Sequence, residues 1–185
     1  MPQPLIVFVG GAPGVGKTTL ATALAAELGL PLIAKDAIKE PLMDVLGAPD
    51  IAASRRIGEA TYAVFWAMAD ALVSGSTPFV LESNFHRDTS APHLRALARE
   101  GRAIFVHCVA PLEVVTQRYA ARVRHPGHKD AERLAAWDGD LSAFEPPAGI
   151  RSLRVDLTGA VDVRALADAI RGDGGSAGAP PHPAR

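Results

Sequence analysis

The chemically most informative stretch of the sequence is a glycine-rich run that ends in a lysine and two threonines, at residues 9–20 (VGGAPGVGKTTL). From Gly11 to Thr18 it matches the pattern G-x-x-x-x-G-K-[ST] at every fixed position. Glycines let the backbone curl so that successive N–H groups face a phosphate, and the start of a helix adds partial positive charge there. The run, called the phosphate loop below, therefore predicts a site for the phosphates of a nucleotide.

The residues of the phosphate loop receive separate expected roles. We expect Lys17 to reach the β- and γ-phosphates and the Thr18 hydroxyl to ligate Mg²⁺, so the predicted cofactors are ATP and Mg²⁺. A glycine-rich turn that binds nothing is disfavoured, because an apolar run precedes the loop and a strong helix-forming stretch follows it. The predicted nucleotide-binding set is Gly11, Ala12, Pro13, Gly14, Val15, Gly16, Lys17, Thr18 and Thr19.

A carboxylate, Asp36, follows the second apolar run of the chain in the stretch AKDAIKEPL. Ligands bind at the carboxyl edge of open parallel sheets, which is where the phosphate loop also lies. A hydroxyl that attacks a γ-phosphate needs a carboxylate to orient it and to take its proton. Asp36 is therefore predicted to be the catalytic base. The alternative is an N-cap for a helix that starts at residue 37, and the two roles are compatible.

A second carboxylate, Glu82, ends the third apolar run in PFVLESNFHRD. It resembles the acidic end of a Walker B strand and is predicted to hold Mg²⁺ together with Thr18. An ordinary strand-to-helix loop with Asp88 as N-cap remains an alternative of about equal weight. The predicted acceptor-binding residues are Lys35, Asp36, Lys39, Ser83, Asn84 and Arg87.

Arginines are concentrated in the stretch QRYAARVRHPGHKDAER, which contains Arg118, Arg122 and Arg124. Arg118 and Arg122 are four residues apart, so on a continuous helix they share a face. The Pro-Gly pair at residues 126–127 interrupts the helical pattern. Arginines that close over a transferring phosphoryl group neutralise its charge and exclude water. Residues 118–133 are thus predicted to form a lid segment with these three arginines as catalytic groups; a solvated basic face is the alternative.

The elements that must position these side chains alternate along the chain. Short apolar runs at residues 5–9, 31–34, 78–81, 103–109 and 152–157 predict buried strands. Helical patterns cover residues 17–28, 37–46, 51–74, 88–100, 111–123, 130–138 and 161–171. This alternation indicates an α/β fold around a mainly parallel sheet. We expect a single domain over residues 1–171, with residues 37–74 as acceptor-side helices and a disordered tail over residues 172–185.

Composition and residue spacing argue against several classes of protein. The chain of 185 residues carries a net charge of -1 and only 5% aromatic residues, which argues against a nucleic-acid partner. His125 and His128 stand across a Pro-Gly turn with no cysteine nearby, which argues against structural zinc. The single cysteine, Cys108, excludes an internal disulfide. Without a signal-peptide pattern or a membrane-spanning run, the sequence predicts a cytoplasmic protein.

Taken together, the phosphate loop, Asp36 and the lid stretch RYAARVRHPGH resemble the small P-loop kinases of the AAA_33 type. That group is similar to zeta toxins, chloramphenicol phosphotransferase, the polynucleotide kinase domain, and gluconate and shikimate kinases. The resemblance implies a three-layer P-loop NTPase fold, with a five-stranded parallel sheet ordered 2-3-1-4-5, helices on both faces and a mobile lid. It also implies that Asp36 activates the acceptor hydroxyl, that the lid arginines grip the phosphates, and that residues 157–160 lie beside the adenine. The chain reads ESN where many relatives read DATN.

The leading hypothesis is an ATP- and Mg²⁺-dependent kinase that phosphorylates a hydroxyl group of a small molecule. One alternative keeps this chemistry and changes the acceptor to a nucleotide-sugar or a polynucleotide 5′-hydroxyl. Another is a nucleotide-dependent switch or ATPase without an acceptor. The arginines within the chain and the placement of Asp36 favour transfer to an acceptor. The sequence names neither the acceptor nor the oligomeric state.

Overall fold

The structure, a computed structural model, describes residues 3–172 and is built around a five-stranded parallel sheet. The strands are β1 (Leu5–Gly10), β2 (Leu32–Ala34), β3 (Phe79–Glu82), β4 (Arg102–Val109) and β5 (Arg151–Asp156). They lie in the order β2-β3-β1-β4-β5, and each neighbouring pair is parallel. The predicted α/β fold and the strand order that the resemblance implied are confirmed.

Seven α-helices connect and flank the strands within the described residues. They are α1 (Lys17–Leu28), α2 (Lys35–Leu46), α3 (Ile51–Ser74), α4 (Arg87–Glu100), α5 (Leu112–Ala121), α6 (Asp130–Ala135) and α7 (Val163–Gly172). Short 3₁₀ turns cover Pro126–His128 and Ser142–Phe144. Gly172, predicted to open the disordered tail, is the last residue of α7, and the remainder of that predicted tail lies outside the described residues.

Several helix boundaries differ from the sequence prediction, and three of these differences affect predicted site residues. The α2 helix begins at Lys35 after Ala34, and α4 begins at Arg87 after His86. Asp36 and Asp88 therefore lie inside the first turns of these helices, so the alternatives that made them N-caps are wrong. A carboxylate in a first turn still interacts favourably with the positive end of the helix dipole.

The third difference concerns the end of α5. This helix stops at Ala121, and the backbone at Arg122 is extended, with φ -72° and ψ 138°. Arg118 and Arg122 therefore do not share the face of one continuous helix, contrary to the prediction. The break directs the chain across the cavity mouth toward α2.

Apolar side chains fill both faces of the sheet, because parallel strands are covered by helices on each side. Successive β1 residues show this alternation: Ile6 and Phe8 pack with α3 and α4, whereas Val7 and Val9 pack with α1 and α7. On α3, Phe65 is fully buried in the first of these layers. Within residues 3–172, no helix combines the length and apolar character required to cross a bilayer.

The strand register brings the chemically important segments to one edge of the sheet. Glu82, at the end of β3, pairs with Val9 of β1 on one side and with Ala34 of β2 on the other. The phosphate loop follows β1 directly, and Asp36 follows β2 by two residues. Three segments that are far apart in sequence thus converge at the carboxyl edge, as expected of an open α/β sheet.

Candidate active site

A cavity of about 1130 Å³ opens at this carboxyl edge and collects most of the predicted site residues. Its walls come from the phosphate loop, α2, α3, the end of β3 and the lid segment. The predicted residues that line it are Pro13, Gly14, Gly16, Lys17, Thr18, Thr19, Lys35, Asp36, Lys39, Glu82, Asn84, Arg118, Arg122 and Arg124. Gly11, Ala12, Val15, Ser83 and Arg87 are not among its lining residues.

Close packing determines the backbone path of the phosphate loop. Gly11 and Gly14 have φ angles of 148° and 86°, in the region that side chains disfavour. A Cβ atom on Gly11 would lie 2.4 Å from the carbonyl oxygen of Cys108, and one on Gly14 would lie 2.8 Å from that of Val115. The loop is therefore pressed against β4 and α5 with no room for a side chain at either position.

Two side chains of the loop point away from the cavity. Ala12 and Val15 are buried in the apolar layer under α1, so they contribute backbone atoms and packing to the site. Lys17 is buried as well, and its Nζ donates a hydrogen bond to the Ala12 carbonyl at 3.3 Å. Burial lowers the pKa of Lys17, against the opposing attraction of Glu82 and Asp36. A desolvated ammonium group of this kind is ready to receive an anion.

The Thr18 hydroxyl and Glu82 form a pair of oxygen ligands beside Lys17. Thr18 Oγ1 donates a hydrogen bond to Glu82 Oε2 at 3.3 Å, and Glu82 is only 3% exposed. Burial raises the pKa of Glu82, while Lys17 lowers it. Oxygen ligands from a carboxylate and a hydroxyl suit a hard divalent cation that also binds phosphates. Within the described chain, no cluster of three His, Cys, Asp or Glu side chains forms a complete metal site. Thr18 and Glu82 therefore fit a Mg²⁺ ion, which would need further ligands from outside the described chain.

Asp36 is held between two cations at the start of α2. Lys35 Nζ lies 3.2 Å from Asp36 Oδ1, and Arg124 Nη2 donates a hydrogen bond of 2.5 Å to Asp36 Oδ2. Burial pushes the pKa of Asp36 upward, but Lys35, Arg124 and other nearby positive charges outweigh it and hold that pKa well below its usual range. The carboxylate is therefore ionised at every pH at which the protein is expected to work.

The three predicted lid arginines occupy different positions. Arg118 Nη1 donates hydrogen bonds to the carbonyls of Val15 and Leu157, at 3.2 and 2.9 Å, and so ties the phosphate loop to the segment after β5. Arg122 forms a two-pronged ion pair with Asp130 at 2.8 and 2.9 Å. Arg124 reaches across the cavity to α2. Only Arg124 of the three contacts the predicted base.

Two histidines seat the lid segment on α2. His128 is buried, with Nε2 2.9 Å from Glu40 Oε1 and 2.8 Å from Arg124 Nη2. His125 Nε2 lies 2.9 Å from Asp44 Oδ1. Burial and the charge of Arg124 lower the pKa of His128. The acid partners on α2 could not be identified from sequence, because the pairing depends on how α2 and the lid segment pack.

A second group of cations lies farther along α2. Lys39 Nζ donates to Ser54 Oγ at 3.2 Å, and Arg133 Nη2 donates to the same oxygen at 3.4 Å. Arg55, one residue after Ser54 on α3, also lines the cavity. Sequence reasoning identified Lys39 but missed Arg55 and Arg133 as site residues. Only the packing of α2, α3 and α6 brings Lys39 and Arg133 to the same Ser54 hydroxyl.

The segment after β3 contributes less than predicted. Asn84 lines the cavity, but the Ser83 hydroxyl is 2.8 Å from that of Tyr62, away from the lining. Arg87 is about half exposed and lies 3.9 Å from Asp88. The structure instead adds an aromatic wall that the sequence did not indicate, formed by His86, Trp137 and Phe144.

Comparison with known proteins identifies the family of this chain. The sequence model of the AAA_33 family, described as an AAA domain, matches residues 5–147. A curated protein named 2-phosphoglycerate kinase, from Pyrococcus horikoshii, is 47% identical over 47 residues. That match covers 25% of this chain and only 16% of the longer relative.

Solved structures extend the likeness to nearly the whole chain. A candidate kinase from Chloroflexus aurantiacus is 33% identical, with a TM-score of 0.80, over 93% of this chain and 98% of that one. A gluconokinase from Sinorhizobium meliloti 1021 has a TM-score of 0.56 at 21% identity, over 92% of this chain and 93% of its own. The gluconokinase shares the fold at this level of identity.

Proposed function

The chain belongs to the AAA_33 family and is a small P-loop kinase, and from this premise we propose that it transfers the γ-phosphate of ATP to a hydroxyl group of a small molecule. The observation that carries the proposal is the cavity that Asp36 shares with Lys17 and Thr18. A nucleotide-binding site alone needs no carboxylate on the acceptor side. A phosphotransferase needs one to orient the attacking hydroxyl.

On this proposal the phosphate loop holds ATP through its backbone N–H groups and through Lys17. Thr18 and Glu82 would hold Mg²⁺, which neutralises negative charge on the β- and γ-phosphates when it is bound. Lys17 has lost most of its hydration, so its interaction with phosphate oxygens is stronger than it would be in water. The loop is already packed in its curled form, so little reorganisation accompanies binding.

Asp36 would orient the acceptor hydroxyl toward the γ-phosphorus. As the new O–P bond forms and the bond to the leaving ADP oxygen breaks, the hydroxyl proton passes to Asp36 Oδ and then to solvent. A carboxylate with a depressed pKa is a weak proton acceptor. Phosphoryl transfer through a loose transition state, however, requires positioning of the hydroxyl more than strong basicity. The ionised carboxylate is suited to that task.

Arg124 would exchange its partner during the reaction. Its guanidinium contacts Asp36, and it also lies 3.6 Å from Asp130 and 3.9 Å from Glu40. A γ-phosphate carries more charge than any one of these carboxylates. We propose that Arg124 moves onto the transferring phosphoryl group, which frees Asp36 to receive the hydroxyl. Arg122 lies within electrostatic range of Lys17 and would support the same charge.

The test is a transfer assay with purified protein, Mg²⁺ and γ-labelled ATP. Pools of sugars, sugar acids, phosphoglycerates, nucleosides, antibiotics and 5′-hydroxyl oligonucleotides would be offered as acceptors. Label on one of the small-molecule pools is the expected result. Label on oligonucleotides would contradict the small-molecule acceptor, and label released only as inorganic phosphate, equally with every pool, would favour an ATPase.

Asp36→Asn tests the carboxylate itself. We expect transfer to fall by on the order of 100-fold or more while ATP affinity is retained, because the amide cannot take the proton. Asp70→Asn is the matched control, since Asp70 is exposed on α3 and outside the cavity lining. Transfer at the wild-type rate in Asp36→Asn would remove Asp36 from the mechanism.

A further inference from the structure

Lys39 is a buried cation without an acidic partner. It is only 4% exposed, yet it lines the cavity. Its ammonium group donates one hydrogen bond, to Ser54 Oγ, which leaves two N–H donors unused. Within residues 3–172, no carboxylate forms an ion pair with Lys39. Buried charges in proteins are normally paired, so this exception points to a partner that is not part of the described chain.

Arg133 approaches the same serine oxygen from the other side. It donates to Ser54 Oγ through Nη2 and to the His128 carbonyl through Nε. Two like charges thus meet at one neutral hydroxyl. Burial, together with the positive charges of Lys35 and Arg133, lowers the pKa of Lys39 to about 8. Folding therefore brings these cations together at an electrostatic cost.

Three of the acids that line the cavity are already engaged elsewhere. Asp36 pairs with Lys35 and Arg124, and Glu40 pairs with His128. Asp130 holds Arg122 in its two-pronged pair. Arg55 adds another cation to the cavity lining. Asp36 attracts the Lys39 ammonium and opposes the lowering of its pKa, but within residues 3–172 no carboxylate forms an ion pair with Lys39 or Arg133.

We propose that the acceptor is a small hydroxylated anion whose carboxylate or phosphate group binds between Lys39 and Arg133. This inference rests on the proposed function and names the class of its substrate. An anion in this position would accept hydrogen bonds from both cations and remove their mutual repulsion. A neutral polyol would leave both charges buried and unpaired, which selects against it.

The position of Lys39 also limits the size of this acceptor. Lys39 follows Asp36 by three residues on α2, so the two side chains lie on one face with Cβ atoms about 5–6 Å apart. A single small molecule therefore reaches both groups, with its reacting hydroxyl at Asp36 and its anionic group at Lys39. Because Arg133 belongs to α6, the same anion would connect the end of the lid segment to α2 and α3.

The first experiment measures binding without turnover. The protein is saturated with Mg²⁺ and the non-hydrolysable analogue AMPPNP, which fills the phosphate loop and prevents probes from binding there. Gluconate and D-glycerate are then compared with neutral sorbitol and glycerol by calorimetry, and 2-phosphoglycerate and inorganic phosphate form a second arm. We expect anions to bind at least about ten-fold more tightly than neutral probes. A preference for one arm identifies the anionic group as carboxylate or phosphate.

Lys39→Met and Arg133→Met should each reduce this preference by about ten-fold, because each removes one charged donor. Arg56→Met is the matched control: it removes an equal charge from the residue next to Arg55, outside the cavity lining. Two cavity variants keep the test decisive if one of them fails to fold. Equal binding of neutral and anionic probes would overturn the inference, as would an anion preference that both variants retain.

The transfer assay separates this inference from the proposed function. Efficient phosphorylation of neutral acceptors, unaffected by Lys39→Met, would leave a kinase and refute the anionic acceptor. Release of label only to water would refute the proposed transfer to an acceptor, while the binding experiment would still decide whether Lys39 and Arg133 recognise an anion. A kcat/KM that favours an acid over its neutral counterpart at least ten-fold, and loses that advantage in Lys39→Met, would support both.

Discussion

The nucleotide half and the acceptor half of the cavity are constructed in different ways. The nucleotide half comes from one continuous segment, residues 11–18, whose glycines pack directly on β4 and α5. The acceptor half is assembled from long charged side chains on α2, α3 and α6, which are spread over residues 35–133. Backbone amides form the first surface, and long cationic side chains form the second.

This difference has a consequence for how the two halves can vary: phosphate binding can stay the same while acceptor selection changes. Backbone N–H groups present the same donors whatever side chains surround them, so the phosphate loop can be retained while the rest of the chain changes. Charged side chains on helices can be replaced one at a time, and each replacement alters what the pocket accepts. We expect substitutions in the nucleotide half to abolish turnover for every acceptor, and those in the acceptor half to change selectivity.

The largest expected effect is that of Lys17→Met in the nucleotide half. Loss of its charge should lower kcat/KM at least about 1000-fold with every acceptor, because Lys17 is proposed to face the developing phosphoryl charge. The melting temperature should not fall, since burial already disfavours the charged form of Lys17. Steady-state kinetics and thermal melting check the two statements separately. A loss of kcat/KM confined to one acceptor class would contradict the proposed division between the halves.

Arg124→Met removes a cation that contacts Asp36 and is proposed to bind the transferring phosphoryl group, so it affects both halves. We expect kcat to fall by on the order of 100-fold, with a smaller change in ATP affinity, because Arg124 is proposed to contact the phosphoryl group mainly during transfer. Removal of this cation should also raise the pKa of Asp36, so the acid limb of the rate profile should move to higher pH. Initial rates across a pH series measure both effects.

Arg99→Met, an exposed arginine on α4, is the control for Arg124→Met. If Arg124→Met weakened ATP binding without a change in kcat, Arg124 would be a ground-state binding group. An unmoved acid limb would show that its pairing with Asp36 has no influence on the working enzyme.

The smallest expected effect concerns stability in the acceptor half. Lys39 has a pKa of about 8 in the folded protein and 10.5 as its ordinary value, so between these pH values the unfolded chain binds more protons. The free energy of unfolding of the wild type should therefore rise with pH over this interval, relative to Lys39→Met. Urea denaturation at pH 7.5 and pH 10 measures the difference. If the free energy of unfolding changed equally with pH in the two proteins, Lys39 would be well solvated or paired.

The strands and the phosphate loop could be predicted because their signals are local. An apolar run followed by glycines, lysine and threonine specifies both the turn and the helix that follows. The boundary of α2 was harder, because Asp36 is a favourable capping residue by type. In the folded chain Asp36 instead pairs with Lys35 and Arg124, and the helix starts before it. Of these two contacts, the one with Arg124 joins residues 88 apart in sequence, and capping preferences contain no information about it.

The acceptor half was predicted only in part for a related reason. Lys39 follows Asp36 closely in sequence, so its proximity could be inferred. Arg133 lies 94 residues after Lys39, and it reaches Ser54 only because α5 ends at Ala121 and the chain then crosses to α2. The neighbouring arginines at positions 55 and 56 differ only in the side of α3 that they occupy. Such distinctions depend on the packing of whole elements.

The central position of β1 in the sheet has a consequence for synthesis of the chain on the ribosome. Residues 5–10 are translated early, but their hydrogen-bonded neighbours, β3 and β4, are translated only at residues 79–82 and 102–109. The phosphate loop also needs Cys108 and Val115 beneath its glycines. A nascent chain that stops before these residues carries the complete nucleotide motif without the support that shapes it. On the proposed function, we therefore expect nucleotide binding only after residue 115 has been synthesised, and chains terminated before that residue should not bind ATP.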